Sequence, residues 1–294
     1  MFSFNKIRKQ NGQTAAIEQS APQLEKVVIQ PASGWQILNL KELVEYRDLF
    51  ASLVWRDIKV LYAQTILGFS WAILQPLIQI LLFTIVFGRV AKVPTEGIPY
   101  FLFSTASIIP WTYMSQAMSQ SSQSLVKDAS MLGKIYFPRL LYPITPVLSR
   151  LLDFLISFSI IIVVAPFYQV VPTIQLIYFP FFMLVMVSTV AGVGMWLSAL
   201  AIRFRDVRHA MPFVIRMLMF SAPIVYSAAS MERNIRLLYS INPIVAVIEG
   251  FRASVLGLPI PWMFVWPGVV TSICLLLSGA YYFKRIEGIF VDVI

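Results

Sequence analysis

The chain has 294 residues, 58% hydrophobic and 13% charged, with a mean hydropathy of +0.76, and a domain folded in water, nearer to about 45–50% apolar, has no way of hiding that surplus. A net charge of +9 would fit nucleic acid in a soluble protein, but here Lys and Arg gather between long apolar runs, where lipid headgroups account for them, so nucleic acid is excluded as a partner. One cysteine and one histidine exclude an intrachain disulfide and a cysteine-based metal cluster.

Residues 1–34 are polar and lack the apolar core of a cleavable signal, so they read as a cytoplasmic tail with little fixed structure beyond one short extended piece at 27–29. Across 36–62, Leu43, Tyr46, Phe50, Leu53, Val54 and Leu61 recur at helical spacing, with Lys41, Glu45, Asp48, Ser52, Arg56 and Lys59 opposite them. That pattern predicts an amphipathic helix at the membrane surface, with Arg47 and Asp57 falling near its apolar side. The first predicted span, 69–88, has no charge and contains Pro76, whose freed carbonyl a neighbouring helix can satisfy. The second, about 98–126, is apolar and aromatic at first and then crowded with Ser and Gln. Thr112, Gln116, Ser119, Gln120 and Gln123 share one face of it; lipid penalises such a face, so it is expected to meet protein or a wet cavity.

Residues 127–139 are charged, end in Phe-Pro-Arg and read as a loop with room for a short helix. The third span, about 140–168, carries Arg150 and Asp153, three residues apart and so able to pair. The fourth, 174–202, is uncharged; RFRDVRH at 203–209 follows as a compact basic loop, and the fifth, 211–228, carries Arg216 without an in-helix partner. From 229 to 258 the pattern changes. Its apolar run, 237–248, is twelve residues, about 18 Å of helix, and Asn242-Pro243 breaks it. Such a run is too short to cross and predicts a re-entrant or interfacial element, with Glu249 and Arg252 spaced to pair. The sixth span, 262–283, contains Cys274, read as a buried small hydrophobe, and Lys284 and Arg285 close it. Trp55, Tyr62, Trp71, Tyr100, Trp111, Trp262 and Trp266 lie near span ends and read as an interfacial belt. With the N-terminus inside, sixteen of the twenty-three Lys and Arg are cytoplasmic, five lie in outer loops and two in spans. The expected fold is therefore all-α with six spans and both termini in the cytoplasm.

No nucleotide-binding G-x-x-x-x-G-K-[ST] loop is present, since Gly133-Lys134 is followed by Ile135, and H-E-x-x-H, G-x-S-x-G and D-x-D are absent as well. Few groups remain for covalent chemistry. Gln116, Ser119, Gln120, Gln123, Arg150, Asp153 and Arg216 are the candidates for lining a polar passage, and an arginine suits a pyrophosphate.

Five fragments in this order, LYAQTILGFSWAILQPL (61–77), LVKDASMLGKIYFPRLLYPI (125–144), RFRDVRH (203–209), YSINPIVAVIEGFRASVLG (239–257) and the ending FKRIEGIFVDVI, resemble the permease subunit of ABC-2 type exporters of O-antigen, capsule or teichoic-acid polymers. The resemblance covers about 36–294. It implies a homodimer in the bacterial inner membrane, paired with two copies of a separate P-loop ATPase subunit that holds ATP and Mg, with no cofactor on this chain. It implies that 127–139 is a coupling helix ending in Lys134, Phe137, Pro138 and Arg139, that Arg205 and Asp206 sit in a second cytoplasmic contact, and that 229–258 forms two short helices at the outer mouth around Tyr239, Asn242, Pro243, Glu249 and Arg252. A lipid-linked glycan would then enter from the inner leaflet and pass along the dimer axis. An ABC-2 exporter of small molecules shares the fold, and a membrane-embedded transferase and a passive channel are the readings from other classes.

Overall fold

The structure, a computed structural model, describes residues 44–128, 138–170 and 173–289. The expected tail at 1–34 and most of the coupling segment, including Lys134 and Phe137, lie outside the described residues. The described residues form an all-helical bundle. Helix α1 is Arg47–Tyr62. Helix α2, Ser70–Phe83, widens into a π-helical stretch, Thr84–Val90. Next come α3, Tyr100–Lys127, and α4, Leu141–Phe167. A short 3-10 turn, Ile174–Tyr178, leads into α5, Phe179–Arg203. Helix α6, Asp206–Phe220, is followed by a 3-10 turn at Ala228–Ser230, and then by α7, Arg233–Tyr239, and α8, Pro243–Leu256. Helix α9, Trp262–Ile286, ends in the 3-10 turn Glu287–Ile289.

Four stretches, Ser70–Val90, Leu141–Phe167, Ile174–Arg203 and Trp262–Ile286, are long and apolar enough to cross a membrane. They coincide with the first, third, fourth and sixth predicted spans. Helix α3, at 28 residues, reaches about 42 Å and fails only on polarity. Yet α3 is the centre of the bundle, packed against α2, α4, α5 and α8, with eighteen residues buried. Its hydroxyls explain how. Thr105 and Ser107 donate to the carbonyls of Phe101 and Phe103, and Ser122 and Ser124 to those of Ser119 and Ser121. These four hydroxyls are thus satisfied on their own helix before they meet its neighbours.

The fifth predicted span, 211–228, is helical only as far as Phe220. With 15 residues, α6 extends about 22 Å, short of the ~30 Å hydrocarbon layer. Beyond it the chain turns, and side chains take up the carbonyls that a continued helix would have paired. Asn242 Nδ2 donates to Ser221 (3.1 Å), Arg252 to Pro223 and the Tyr100 hydroxyl to Val225 (2.8 Å). Pro76 creates the same need inside α2, because it has no N–H for the carbonyl of Ala72. Ser157 of α4 supplies the donor at 2.6 Å.

Two short helices occupy 233–256, the number that the resemblance implied, but α8 does not lie at an interface as the length of its apolar run suggested. Twelve of its fourteen residues are buried, against α3, α5 and α9. Asn242 caps it, its side chain accepting from the Ile244 N–H at 3.0 Å, Pro243 takes the first turn, and Gly257 ends it at φ 72°. Helices α5 and α9 touch backbone to backbone. A Cβ added at Gly192 would lie 2.6 Å from the Leu275–Leu276 peptide, and one at Gly279 would lie 2.5 Å from the Gly192 carbonyl. Lipid gives helices no hydrophobic reason to associate, so close approach at small residues supplies the contact.

The apolar side of α1, through Leu53, Leu49, Phe50 and Tyr46, packs into a small core with Leu125, Tyr142 and Phe283. Two sequence expectations need correcting. Cys274 is exposed, because the outward face of a membrane helix is apolar as well as the inward one. Trp111 is 3% exposed in the core, since it stands twelve residues into α3 and not at its end.

Candidate functional site

A groove runs along the Ser/Gln face of α3, walled by α1, α2 and α4. One part is a cavity of about 100 Å³ lined by Trp71, Gln75, Thr112, Gln116, Arg150 and Asp153, among others. The other, about 310 Å³, is lined by Arg56, Asp57, Gln120, Gln123, Lys127 and Asp128, among others. Leu61 of α1 belongs to both walls.

Arg150 organises the first part. Its guanidinium donates to Asp153 at 2.7 Å, to Gln116 Oε1 at 3.0 Å and to Gln120 Oε1 at 2.9 Å. An arginine has only donors, so both glutamines must turn their oxygens to it. That leaves the Gln116 amide nitrogen free to donate to Gln75 Oε1 of α2, at 3.1 Å. Asp153 also accepts from the Tyr62 hydroxyl at the end of α1. The ion pair is largely sheltered, with side chains 15% and 12% exposed, and these neighbouring hydrogen bonds make such a pair tolerable in a span. The Thr112 hydroxyl is buried on the same face with no hydrogen-bond partner among the described residues.

At the α1 end of the groove, Arg56 Nη2 contacts Asp57 and Asp128, each at 2.9 Å. Burial works against the Arg56 cation, but hydrogen bonds to Asp128 and Asp57 outweigh it, so its pKa is raised from the ordinary arginine value. At the opposite end of α3 lies a second polar cluster. Arg252, 4% exposed, pairs with Glu249 at 3.0 Å, donates to Ser107 of α3 at 2.7 Å and lies 3.8 Å over the Phe103 ring. Arg236 of α7 reaches Glu249 at 3.8 Å and stacks 4.1 Å over Phe264. Tyr239 shares a 2.5 Å hydrogen bond with Tyr226.

The structure thus brings together Gln116, Gln120, Gln123, Arg150 and Asp153, with Ser119 half-buried on the same helix, and separately Tyr239, Asn242, Pro243, Glu249 and Arg252. Arg216 joins neither cavity of the groove. It is exposed on α6 beside Phe213, Met217 and Phe220. Arg205 and Asp206 are exposed where α6 begins, Asp206 in its first turn, where a carboxylate complements the helix dipole. Pro138 is buried, and Arg139 donates to the Glu287 carbonyl beyond α9. Sequence reasoning missed Gln75, Tyr62, Ser107 and Asp128. Gln75 carried a signal, an amide inside an otherwise apolar span. Tyr62 and Ser107 carried none.

Long apolar helices around a groove of amides and paired charges define a polytopic membrane protein of the transport class. The ABC-2 type transporter family matches residues 48–256, and the chain belongs to that family. It is 26% identical over 216 residues to the O-antigen export system permease protein RfbA of Myxococcus xanthus, covering 73% of this chain and 82% of the relative. It is 23% identical over 248 residues to the protein of that name from Klebsiella pneumoniae, covering 84% and 95%. The polysialic acid transport protein KpsM of Escherichia coli is 22% identical over 213 residues, covering 70% and 80%.

Proposed function

We propose that this chain is the membrane subunit of an ATP-driven exporter that moves a lipid-linked polysaccharide across the inner membrane. The groove on α3 carries the reading. Glutamine amides offer donor and acceptor together, which suits the hydroxyls of a glycan and not an apolar drug, and the three relatives named above are called O-antigen and polysialic acid transport proteins.

In this reading α3 makes a fifth crossing, α6 together with the non-helical stretch 221–227 beyond it makes the sixth, and the excess of Lys and Arg in the loops on the α1 side argues for both termini in the cytoplasm. Two copies face each other across the groove, and two P-loop ATPase subunits, which hold the ATP and Mg, dock on the segment 127–139 and near Arg205 and Asp206. No covalent step falls to this chain. Helices α7 and α8 enter from the outer side, where Arg252 and Asn242 hold them against 221–227 and close the resting path. Arg216, exposed on α6, faces the passage or the second copy.

The test is reconstitution of this chain with its ATPase in vesicles carrying a lipid-linked glycan, read by access of the glycan to a membrane-impermeant glycosidase. Access that rises only with ATP is expected. No change with ATP, or equal access without it, refutes the proposal.

A further inference from the structure

Helix α1 is tied to the bundle by two polar links at different points along its length. Toward its middle, Arg56 reaches Asp128, the residue that follows the last turn of α3, at 2.9 Å. At its end, the Tyr62 hydroxyl donates to Asp153, the carboxylate already paired with Arg150. Between the links, Asp57, Val60 and Leu61 belong to the α1 wall of the larger cavity, and Leu53 continues it on the other side of Arg56. Arg56 and Tyr62 stand six positions apart on the helix, about 9 Å, and a helix this short transmits a displacement as a rod. Arg56 is better placed for this than Lys59, whose ammonium stands 5.5 Å over the Trp55 ring of its own helix and so binds α1 only to itself.

We propose that Arg56 is a positioning residue for transport: its link to Asp128 fixes α1 against the end of α3, so that Tyr62 keeps Asp153 engaged and the Arg150 side chain aimed at Gln116 and Gln120. Arg56 stands in the wall of the larger cavity, and its action on the Arg150 pair is through α1. Because Asp128 stands at the root of 129–137, motion imposed on that segment reaches the Arg150 pair through α1. This last step rests on the proposed docking of the ATPase there.

The experiment uses the full chain co-expressed with its ATPase, reading ATPase co-purification, ATP hydrolysis and polymer export together. R56Q, which removes the charge, and Y62F, which removes the hydroxyl, are each expected to retain the ATPase and its hydrolysis while export falls about fivefold or more. R56K keeps the charge and is expected to restore most of the export, as is the exchange R56D/D128R. Because both links lie on one route, R56Q/Y62F exports no less than the worse single variant. Normal export by R56Q with the ATPase bound overturns the proposal, as does an exchange no better than R56Q, or losses that multiply in the double variant. F137D separates the two readings. Loss of bound ATPase in F137D beside normal export in R56Q sinks the Arg56 link alone. Bound ATPase and full export in F137D sink the docking reading, and the Arg56 link then stands or falls on R56Q and the exchange.

Discussion

Replacing Arg150 with alanine strands Asp153, whereas replacing Asp153 strands Arg150 much less, and the difference between the two is measurable. At 2.7 Å and an effective dielectric of about 20, the gross attraction is about 6 kcal/mol, most of it offset by the desolvation of two sheltered charges. In R150A the carboxylate keeps the Tyr62 hydroxyl as a donor and loses its cation, which costs about 3–5 kcal/mol. In D153A the guanidinium keeps both glutamine oxygens, at 2.9 and 3.0 Å, so the loss is nearer that of one charge-assisted hydrogen bond, about 1.5–3 kcal/mol. Thermal unfolding of the purified protein, followed by tryptophan fluorescence in one detergent, is expected to show R150A displaced about twice as far as D153A. The double variant R150M/D153L, which leaves no charge behind, is expected to lie no lower than D153A. Equal shifts for the two single variants, or a double variant equal to their sum, would falsify the reasoning.

Three further outcomes follow from other parts of the molecule. G192A places a methyl group 2.6 Å from the Leu275–Leu276 backbone and should destabilise the protein by about 1–3 kcal/mol, seen as a lower unfolding midpoint; an unchanged midpoint means that the α5–α9 contact is looser than described. R252K is expected to fail as a substitute for arginine, because an ammonium presents its donors from a single atom, whereas Arg252 reaches Ser107 from Nε and Nη2, Glu249 from Nη1 and the Pro223 carbonyl from Nη2. Wild-type stability and export in R252K refute this. In a C274S background, needed because Cys274 is exposed, Q120C and Q123C should react with a water-borne thiol reagent while M114C and M118C, at buried positions, stay protected. The reverse pattern would remove the wet groove.

Much of the helix order was legible in the residues, because hydropathy over about twenty residues is a local property that no packing can reverse. The spans at 69–88, 140–168, 174–202 and 262–283 therefore needed no tertiary information, and neither did the break at Asn242-Pro243, where proline restricts its predecessor. The Arg150–Asp153 and Glu249–Arg252 pairs were also readable, being three residues apart on one helix. Tertiary structure decided the rest. Hydropathy carried the fifth span through 221–228, but the carbonyls there found side-chain donors from Asn242, Arg252 and Tyr100, and a helix stops where its carbonyls have other partners. The interior of α8 was hidden for the same reason: an apolar run of that length reads alike at an interface and in a core. Arg56 meeting Asp128 across 72 positions, and Tyr62 meeting Asp153 across 91, leave no periodic trace in a sequence, because contacts between helices are set by crossing geometry and not by spacing along the chain.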